Sequence, residues 1–252
     1  MVYLFSPKDS LLKQFNAVKE TMDNKWPNSL AIAYFQAYSN TYGPIEKLKE
    51  CYETFIDKKD VIGLSIATRC DCIDEKIVEY LKTIKPYFKE FWVELGLQSA
   101  NKKTMELLNL KYDFACFKKA VNLLNKANID VIVHIIDGLP YESKQDQINT
   151  ILKINKLPVK GIKIHILNVI ENTKIAKMYL ENKFKTISED EFIDIAVEQI
   201  SHLRKDIIIH RIGADSKIED LIAPTWVRNK LKIVDEVDKK LNEADIYQGD
   251  KI

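Results

Sequence analysis

The sequence predicts an α/β protein built on a parallel sheet, either doubly wound or curled into a barrel. Three observations point there. Short β-rich runs alternate with longer amphipathic stretches along the chain. Successive strand starts fall about 30 to 45 residues apart, the cadence of repeated βα units. Polar side chains recur on one face of nearly every candidate strand, whereas a sheet covered by helices on both sides is apolar throughout. The last observation favours a barrel, whose shared interior gives those groups somewhere to meet.

The candidate strands are residues 30–38, 61–69, 91–99, 130–137, 161–169 and 206–212. Between them, residues 9–23, 45–56, 74–87, 114–127 and 145–157 are amphipathic in the manner of helices. Residues 173–182 and 188–203 add two more, and a lysine-rich tail helix covers roughly 228–244. Helix starts carry their usual signals: Pro44 ahead of Ile45, Asp74 before a charged first turn, and Ser188-Glu189-Asp190-Glu191 with the form of a capping box. No Gly/Ser-rich linker divides the chain. One domain is expected, with a core over residues 1–204 and a strand and helical extension over 205–252 packed on it.

Composition narrows the function. A chain of 252 residues can bury a substantial core, and 38 basic against 37 acidic side chains leave a net charge of +1. That excludes holding nucleic acid by overall charge alone, while local patches stay open. No apolar run approaches the ~18 residues that span a bilayer. The start, Met1-Val2-Tyr3-Leu4-Phe5-Ser6-Pro7-Lys8, lacks the basic and apolar regions of a signal peptide. A cytoplasmic protein with no membrane partner is expected. Cys51, Cys70, Cys72 and Cys116 read as free thiols, and the Cys70–Cys72 spacing is not that of a zinc knuckle, so no metal ligands are assigned. Arg69, Arg204, Arg211 and Arg228 are the only arginines in a lysine-rich chain. Each is worth locating, because lysine does not replace a planar fork that grips carboxylate or phosphate.

Strand parity supplies candidate site residues. In the third strand Phe91, Val93, Leu95 and Leu97 take one face; Trp92, Glu94, Gly96 and Gln98 take the other. A carboxylate inside costs several kcal/mol unless it is paired or solvated, so polar partners must await Glu94. Tyr34, Gln36 and Asn40 share a parity in and after the first strand, as do Ser65, Ala67 and Arg69 in the second. His134 stands among isoleucines and valines before Asp137-Gly138-Leu139-Pro140; Lys163 and His165 follow, then His210 beside Arg211. Polar residues gather toward the carboxyl ends of the strands, where parallel α/β folds bind ligands. The residues alone thus suggest a barrel-like enzyme with a large polar ligand. Phosphate-loop, nucleophile-elbow and zinc-helix motifs are absent from the sequence, so they do not decide the chemistry.

Two stretches carry a resemblance. Val93-Glu94-Leu95-Gly96-Leu97-Gln98-Ser99, followed by a helix and His134-Ile135-Ile136-Asp137-Gly138-Leu139-Pro140-Tyr141-Glu142, is similar to the central part of radical S-adenosylmethionine (SAM) enzymes. The branch is that of oxygen-independent coproporphyrinogen oxidase-like and elongator-type proteins. Tyr34-Phe35-Gln36-Ala37-Tyr38-Ser39-Asn40-Thr41-Tyr42, Leu64-Ser65-Ile66-Ala67-Thr68-Arg69, Gly161-Ile162-Lys163-Ile164-His165, His210-Arg211, Leu221-Ile222-Ala223-Pro224-Thr225-Trp226 and Tyr247-Gln248-Gly249 resemble a small standalone bacterial family within it. The resemblance covers essentially the whole chain. It departs after Asn109, where Leu110-Lys111-Tyr112 stands in place of the Arg-Gly-His of many relatives.

The resemblance implies an incomplete (β/α) barrel of the radical SAM type that binds SAM and a 4Fe-4S cluster. Relatives hold the cluster on three cysteinates spaced Cys-x-x-x-Cys-x-x-Cys. None of the four cysteines here stands in that pattern, so the expectation is a chain without its first βα unit: truncated, inactive and prone to self-association. A cluster-free paralogue or a noncatalytic binding module is the alternative, and an ordinary barrel hydrolase or aldolase using Lys163 or His165 is a third reading. Gln36 and Asn40 become candidates for the amino-acid end of SAM, Arg69 for its carboxylate, Glu94 and Gln98 for its ribose or amine, and His134 with Gly138 for the adenine side. His165, His210 and Arg211 become candidate substrate contacts. Kinship with elongator-type proteins makes tRNA a possible substrate beside a small molecule. The tail lysines Lys230, Lys232, Lys239 and Lys240 read either as phosphate contacts or as a solvated face shared with Asp235, Glu236 and Asp238.

Overall fold

The computed structural model describes residues 9–213, 219–228 and 230–252. These form two compact units, one of residues 9–96 with 119–131 and one of residues 97–118 with 132–252. The first is built from α1 (Leu11–Lys25), β1 (Ala31–Phe35), α2 (Ile45–Glu53), β2 (Val61–Arg69), α3 (Glu75–Ile84) and most of β3 (Glu90–Gln98). α4 (Lys102–Leu107) belongs to the second, α5 (Phe114–Lys126) starts in the second and lies mostly in the first, and the second continues through most of β4 (Asp130–Asp137), α6 (Lys144–Ile154), β5 (Gly161–Ile166) and β6 (Val169–Ile170). It closes with α7 (Lys174–Leu180), α8 (Glu189–Ser201), β7 (Ile208–Ile212), β8 (Leu221–Ala223) and α9 (Lys230–Glu243).

The strand order is β1-β2-β3 in the first unit and β4-β5-β7 in the second, and β6 pairs with β8 in a separate antiparallel ladder. Parallel pairing joins β1 to β2 and β2 to β3 in the first unit, and β4 to β5 and β5 to β7 in the second. Alternation along each strand sorts the side chains as expected. Leu64, Ile66, Val93 and Leu95 are fully buried on one face of the first unit, as are Val133, Ile135, Ile162 and Ile164 in the second. Burial of each such side chain contributes about 1.5–3 kcal/mol. The capping signals are met: Asp74 Oδ1 accepts from Ile77 N at 2.8 Å, and Ser143 with Asp146 and Ser188 with Glu191 form reciprocal capping boxes.

Three differences from the expected elements have physical reasons. The first strand stops at Phe35 because Ala37 and Tyr38 take positive φ angles of 67° and 63°, so Gln36 and Asn40 lie in the following loop. The run expected at 161–169 divides, since Leu167 and Asn168 leave the sheet and Val169 turns to pair with β8. Helix α4 was not anticipated: six residues are too few for a periodic signal, and the Asn101 side chain caps it by accepting from Lys103 N at 3.0 Å.

In the tail helix Ile233 and Val237 are buried, Lys232 pairs with Glu189 of α8 at 2.9 Å, and Lys240 pairs with Asp194. Two of the four tail lysines are therefore engaged with α8, and the side chain of Lys230 lies outside the described residues.

Among the described residues β1 is an end strand, and Leu30 and Ile32 beside and within it are 60% and 37% exposed. An apolar edge of this kind invites pairing with another chain. Leu30→Lys with Ile32→Lys is expected to raise the monomer fraction in size-exclusion chromatography; an unchanged elution profile would show that this edge does not drive association.

Candidate functional site

The first unit sets four polar side chains on one sheet face. Tyr34, Ser65 and Trp92 lie side by side in register across β1, β2 and β3, with Glu94 one step further along β3 opposite Ala67. Glu94 is 2% exposed. Its Oε1 accepts from Ser65 Oγ at 2.8 Å and Trp92 Nε1 at 3.0 Å, and its Oε2 accepts from Tyr34 OH at 2.9 Å. Charge-assisted bonds to a carboxylate are about twice as strong as neutral ones, so three donors offset much of the cost of burying it. The parity pattern pointed to Glu94, but its donors emerge only from the register that aligns residues 34, 65 and 92.

At the carboxyl ends of β1 and β2 the backbone is tied down. Asn40 Nδ2 donates to the carbonyls of Phe35 and Ala37 at 3.2 Å each and of Ala67 at 2.8 Å, while the Tyr52 hydroxyl donates to the Asn40 carbonyl. These bonds fix the loop that carries Gln36. Thr41 and Thr68 hydroxyls meet at 2.7 Å, and Thr41 also donates to the Cys72 carbonyl at 2.8 Å. Arg69 is 48% exposed and grips Asp71 with two nitrogens, holding that carboxyl below its usual range.

The second unit carries a different set. His134 lies opposite Lys163, and Lys163 lies opposite Arg211. His165 Nε2 and His134 Nδ1 are 3.1 Å apart, with the rings stacked at 4.9 Å. A slip in register between Ile162 and Lys163 admits His210, whose ring lies over Gly161; a Cβ at Gly161 would fall 2.5 Å from its Cδ2. The predicted His134, His165, His210 and Arg211 are thus brought to one sheet face, joined by Lys163, which is 9% exposed.

Around the ends of β3 and β4, Gln98 adopts φ 66° and leads to Ser99, whose hydroxyl donates to Glu142 Oε1. Burial pushes the Glu142 carboxyl up, against the Ser99 and Thr104 hydrogen bonds. Gly138 turns at φ 76°, where a Cβ would meet Ile187 at 3.0 Å. Asp137 is 1% exposed and accepts from Gln199 Nε2 at 2.8 Å, while its Oδ2 and Gln199 Oε1 have no partner among the described residues. Burial pushes its carboxyl up to about 7. One added proton on Oδ2 would satisfy both orphaned oxygens together, which fits that direction.

An iron–sulfur cluster needs convergent thiolates. Among the described residues no group of three or more His, Cys, Asp or Glu side chains is arranged to hold a metal ion. Burial pushes the Cys51 thiol up, away from the thiolate form, and Cys70 is buried. These residues do not fit a cluster. No helix among them is long and apolar enough to cross a membrane.

A parallel α/β sheet with polar side chains gathered on one face has the architecture of the barrel class. Comparison with known proteins gives the family. Residues 12–154 match the Radical SAM superfamily model and residues 159–243 the Radical_SAM C-terminal domain. The chain is 39% identical over 241 residues to YtqA of Bacillus subtilis, covering 96% of this chain and 74% of that one. It is 27% identical over 175 residues to a tRNA uridine(34) acetyltransferase of Methanocaldococcus infernus, covering 68% of this chain and 32% of that one. The structure of the archaeal Methanocaldococcus infernus Elp3 with N-terminus deletion (1–46) superposes with a TM-score of 0.81 at 20% identity, over 94% of this chain and 60% of that one. This chain belongs to the radical SAM superfamily, and its fold is the incomplete (β/α) barrel that the sequence predicts.

Because Asp137 is raised from 3.8 to about 7, the folded chain holds a proton that the unfolded chain has already released across that interval. The contribution of Asp137 to stability is therefore fully present at the acid end of that interval and is lost as pH rises toward 7. Asp137→Asn is expected to flatten this slope in denaturant titrations run between pH 4 and pH 8; an unchanged slope would locate the titrating group elsewhere.

Proposed function

We propose that this chain supplies the SAM-binding part of a radical SAM protein in the cytoplasm, inactive without a cluster, with tRNA or a small molecule as the substrate of the intact form. The observation that carries the SAM assignment is the buried Glu94 carboxylate on a polar sheet face. Its oxygens are held by Tyr34, Ser65 and Trp92, which presents an oriented carboxylate suited to a hydroxyl or ammonium of the ligand. Glu94 and Gln98 take the ribose or the methionyl amine. Gln36 contacts the amino-acid end, presented by the loop that Asn40 braces. Arg69, already seated on the carboxylate of Asp71, exchanges it for the carboxylate of SAM. His134 and Gly138 serve the adenine, and His165, His210 and Arg211 face the substrate.

A reduced 4Fe-4S cluster supplies the electron that cleaves SAM in radical SAM chemistry. The described residues do not fit one, so every role above is one of binding or orienting. Support for tRNA comes from the similarity to the tRNA uridine(34) acetyltransferase of Methanocaldococcus infernus. The lack of a thiolate set among the described residues favours a second reading, a binding module that takes SAM without cleaving it.

Calorimetric titration of the chain with SAM tests the first step. Glu94→Gln is expected to weaken binding by about tenfold, the worth of one charged hydrogen bond; equal affinity in both proteins would remove Glu94 from the site. Anaerobic reconstitution with iron and sulfide separates the two readings. Near-stoichiometric cluster absorbance with SAM cleavage supports the radical enzyme, and SAM binding without a cluster supports the module.

A further inference from the structure

We propose that Arg204 and Gln248 are positioning residues for the candidate substrate face of the second unit, fixing from the amino end of the strands where β7 sets His210 and Arg211. The inference deepens the proposed function and rests on it for treating that face as the substrate's. Both residues stood out in the sequence, one as a rare arginine and one within Tyr247-Gln248-Gly249, and the proposed function leaves both unused. The problem they solve is one of register. Ile209 pairs with Ile162 and Arg211 with Lys163, so His210 is an extra residue on β7. Moving the start of β7 by one residue would displace that bulge and turn Arg211 to the other face. The His210 ring has its place over Gly161, where a Cβ would fall 2.5 Å from Cδ2. The start of β7 must therefore be held, and Ile208 N, donating to the Lys160 carbonyl at 2.9 Å, is the first tie.

The Arg204 guanidinium joins the segments that lead into β5 and β7. Its Nη1 donates to the carbonyls of Asn155 and Leu157 at 2.5 and 3.1 Å, while Nε and Nη2 hold Asp206 at 2.9 and 3.0 Å. Asn155 returns the contact: its Oδ1 accepts from Arg204 N at 3.2 Å, and its Nδ2 donates to the His202 carbonyl at 2.7 Å. A planar fork serves these acceptors in several directions at once, which an ammonium on a flexible stem does not. Gln248 closes the other side. Its Nε2 donates to the carbonyls of Arg204 and Ile207 at 2.6 and 2.7 Å, using both hydrogens. Ile207 immediately precedes β7. The turn that presents Gln248 is docked on the end of α8, where Gly249 N and Lys251 N donate to the carbonyls of Ile200 and Ser201 at 3.2 and 2.9 Å. Lys251 also pairs with Glu198 at 2.7 Å. Gly249 takes φ 77°, and a Cβ there would come within 2.8 Å of Lys205, so this approach requires glycine.

The test uses the full chain labelled with 15N at histidine, together with amide hydrogen exchange. Arg204→Lys keeps the charge and removes the fork; Gln248→Glu keeps the size and removes both donors. Each is expected to shift the imidazole signals of His210 further than those of His134, which lies on β4. Each should also speed amide exchange over Ile208–Ile212 by about tenfold, as loss of a net hydrogen bond does. Lys177→Met, on an exposed helix, serves as the unaffected control. A lowered Tm with His210 signals and β7 exchange unchanged overturns the proposal, because the contacts would then stabilise the fold without placing β7. Variants that behave as the unsubstituted protein overturn it too. Should neither variant fold, exchange in the unsubstituted protein decides. With rising guanidinium the amides of Ile208, Gly249 and Lys251 are expected to share one opening step. Opening of Gly249 and Lys251 well before Ile208, with β7 still protected, overturns the proposal. None of these readouts needs a ligand, so failure of SAM to bind would refute the proposed function and leave the positioning of His210 and Arg211 standing.

Discussion

The desolvated carboxylate of Glu94 is the constraint around which the first unit is arranged. A lone ionised carboxylate in an apolar interior costs several kcal/mol, and in this unit it is met by hydroxyl, indole and phenol donors from three adjacent strands. That requirement dictates what stands nearby. Ser65 must be short to reach Oε1 from the neighbouring strand, Ala67 leaves the position opposite Glu94 open, and Tyr34 must span from β1. Meanwhile the reverse face is a continuous apolar layer of Leu64, Ile66, Val93 and Leu95. One periodicity thus sorts two kinds of contact, apolar packing on one face and a hydrogen-bonded polar cluster on the other.

The second unit solves a related problem with the opposite charge. Histidines, a lysine and an arginine share a face, and the device that gathers them is backbone irregularity as much as side-chain choice. A one-residue slip between β5 and β7 lets both His210 and Arg211 contribute, although consecutive residues in a regular strand point to opposite faces. Asp137 and Gln199 show a third arrangement, in which α8 meets the end of β4 through a buried acid–amide pair whose remaining oxygens call for a proton. Such a pair gives that junction a directional, pH-sensitive contact where apolar packing alone would be indifferent to pH.

Much of this was legible from the residues. Strands 61–69 and 130–137 have the predicted bounds because their β-branched runs are flanked by turn residues, and the capping box at Ser188 follows from local hydrogen bonding. Glu94 announced itself as a charge on a strand whose other parity was apolar. The end of β1 did not, because two successive non-glycine residues at positive φ follow from the tertiary bracing of the loop by Asn40 and Tyr52. Lys163 was noted by type, but its place in a row with His134 and Arg211 depends on strand register.

The sequence by itself determined which stretches form strands and helices, which parity of each strand is polar, and that the chain carries radical SAM motifs. These are local properties, set by side-chain period, caps and turn residues within about ten residues of one another. Only the tertiary structure decided the partners: Tyr34 and Ser65 with Glu94, His134 with His165, Asp137 with Gln199, and His210 with the space over Gly161. Those pairs are 29 to 62 residues apart where hydrogen bonds join them. Their geometry depends on register and bulges, and a slip of one residue sends every side chain of a strand to the other face.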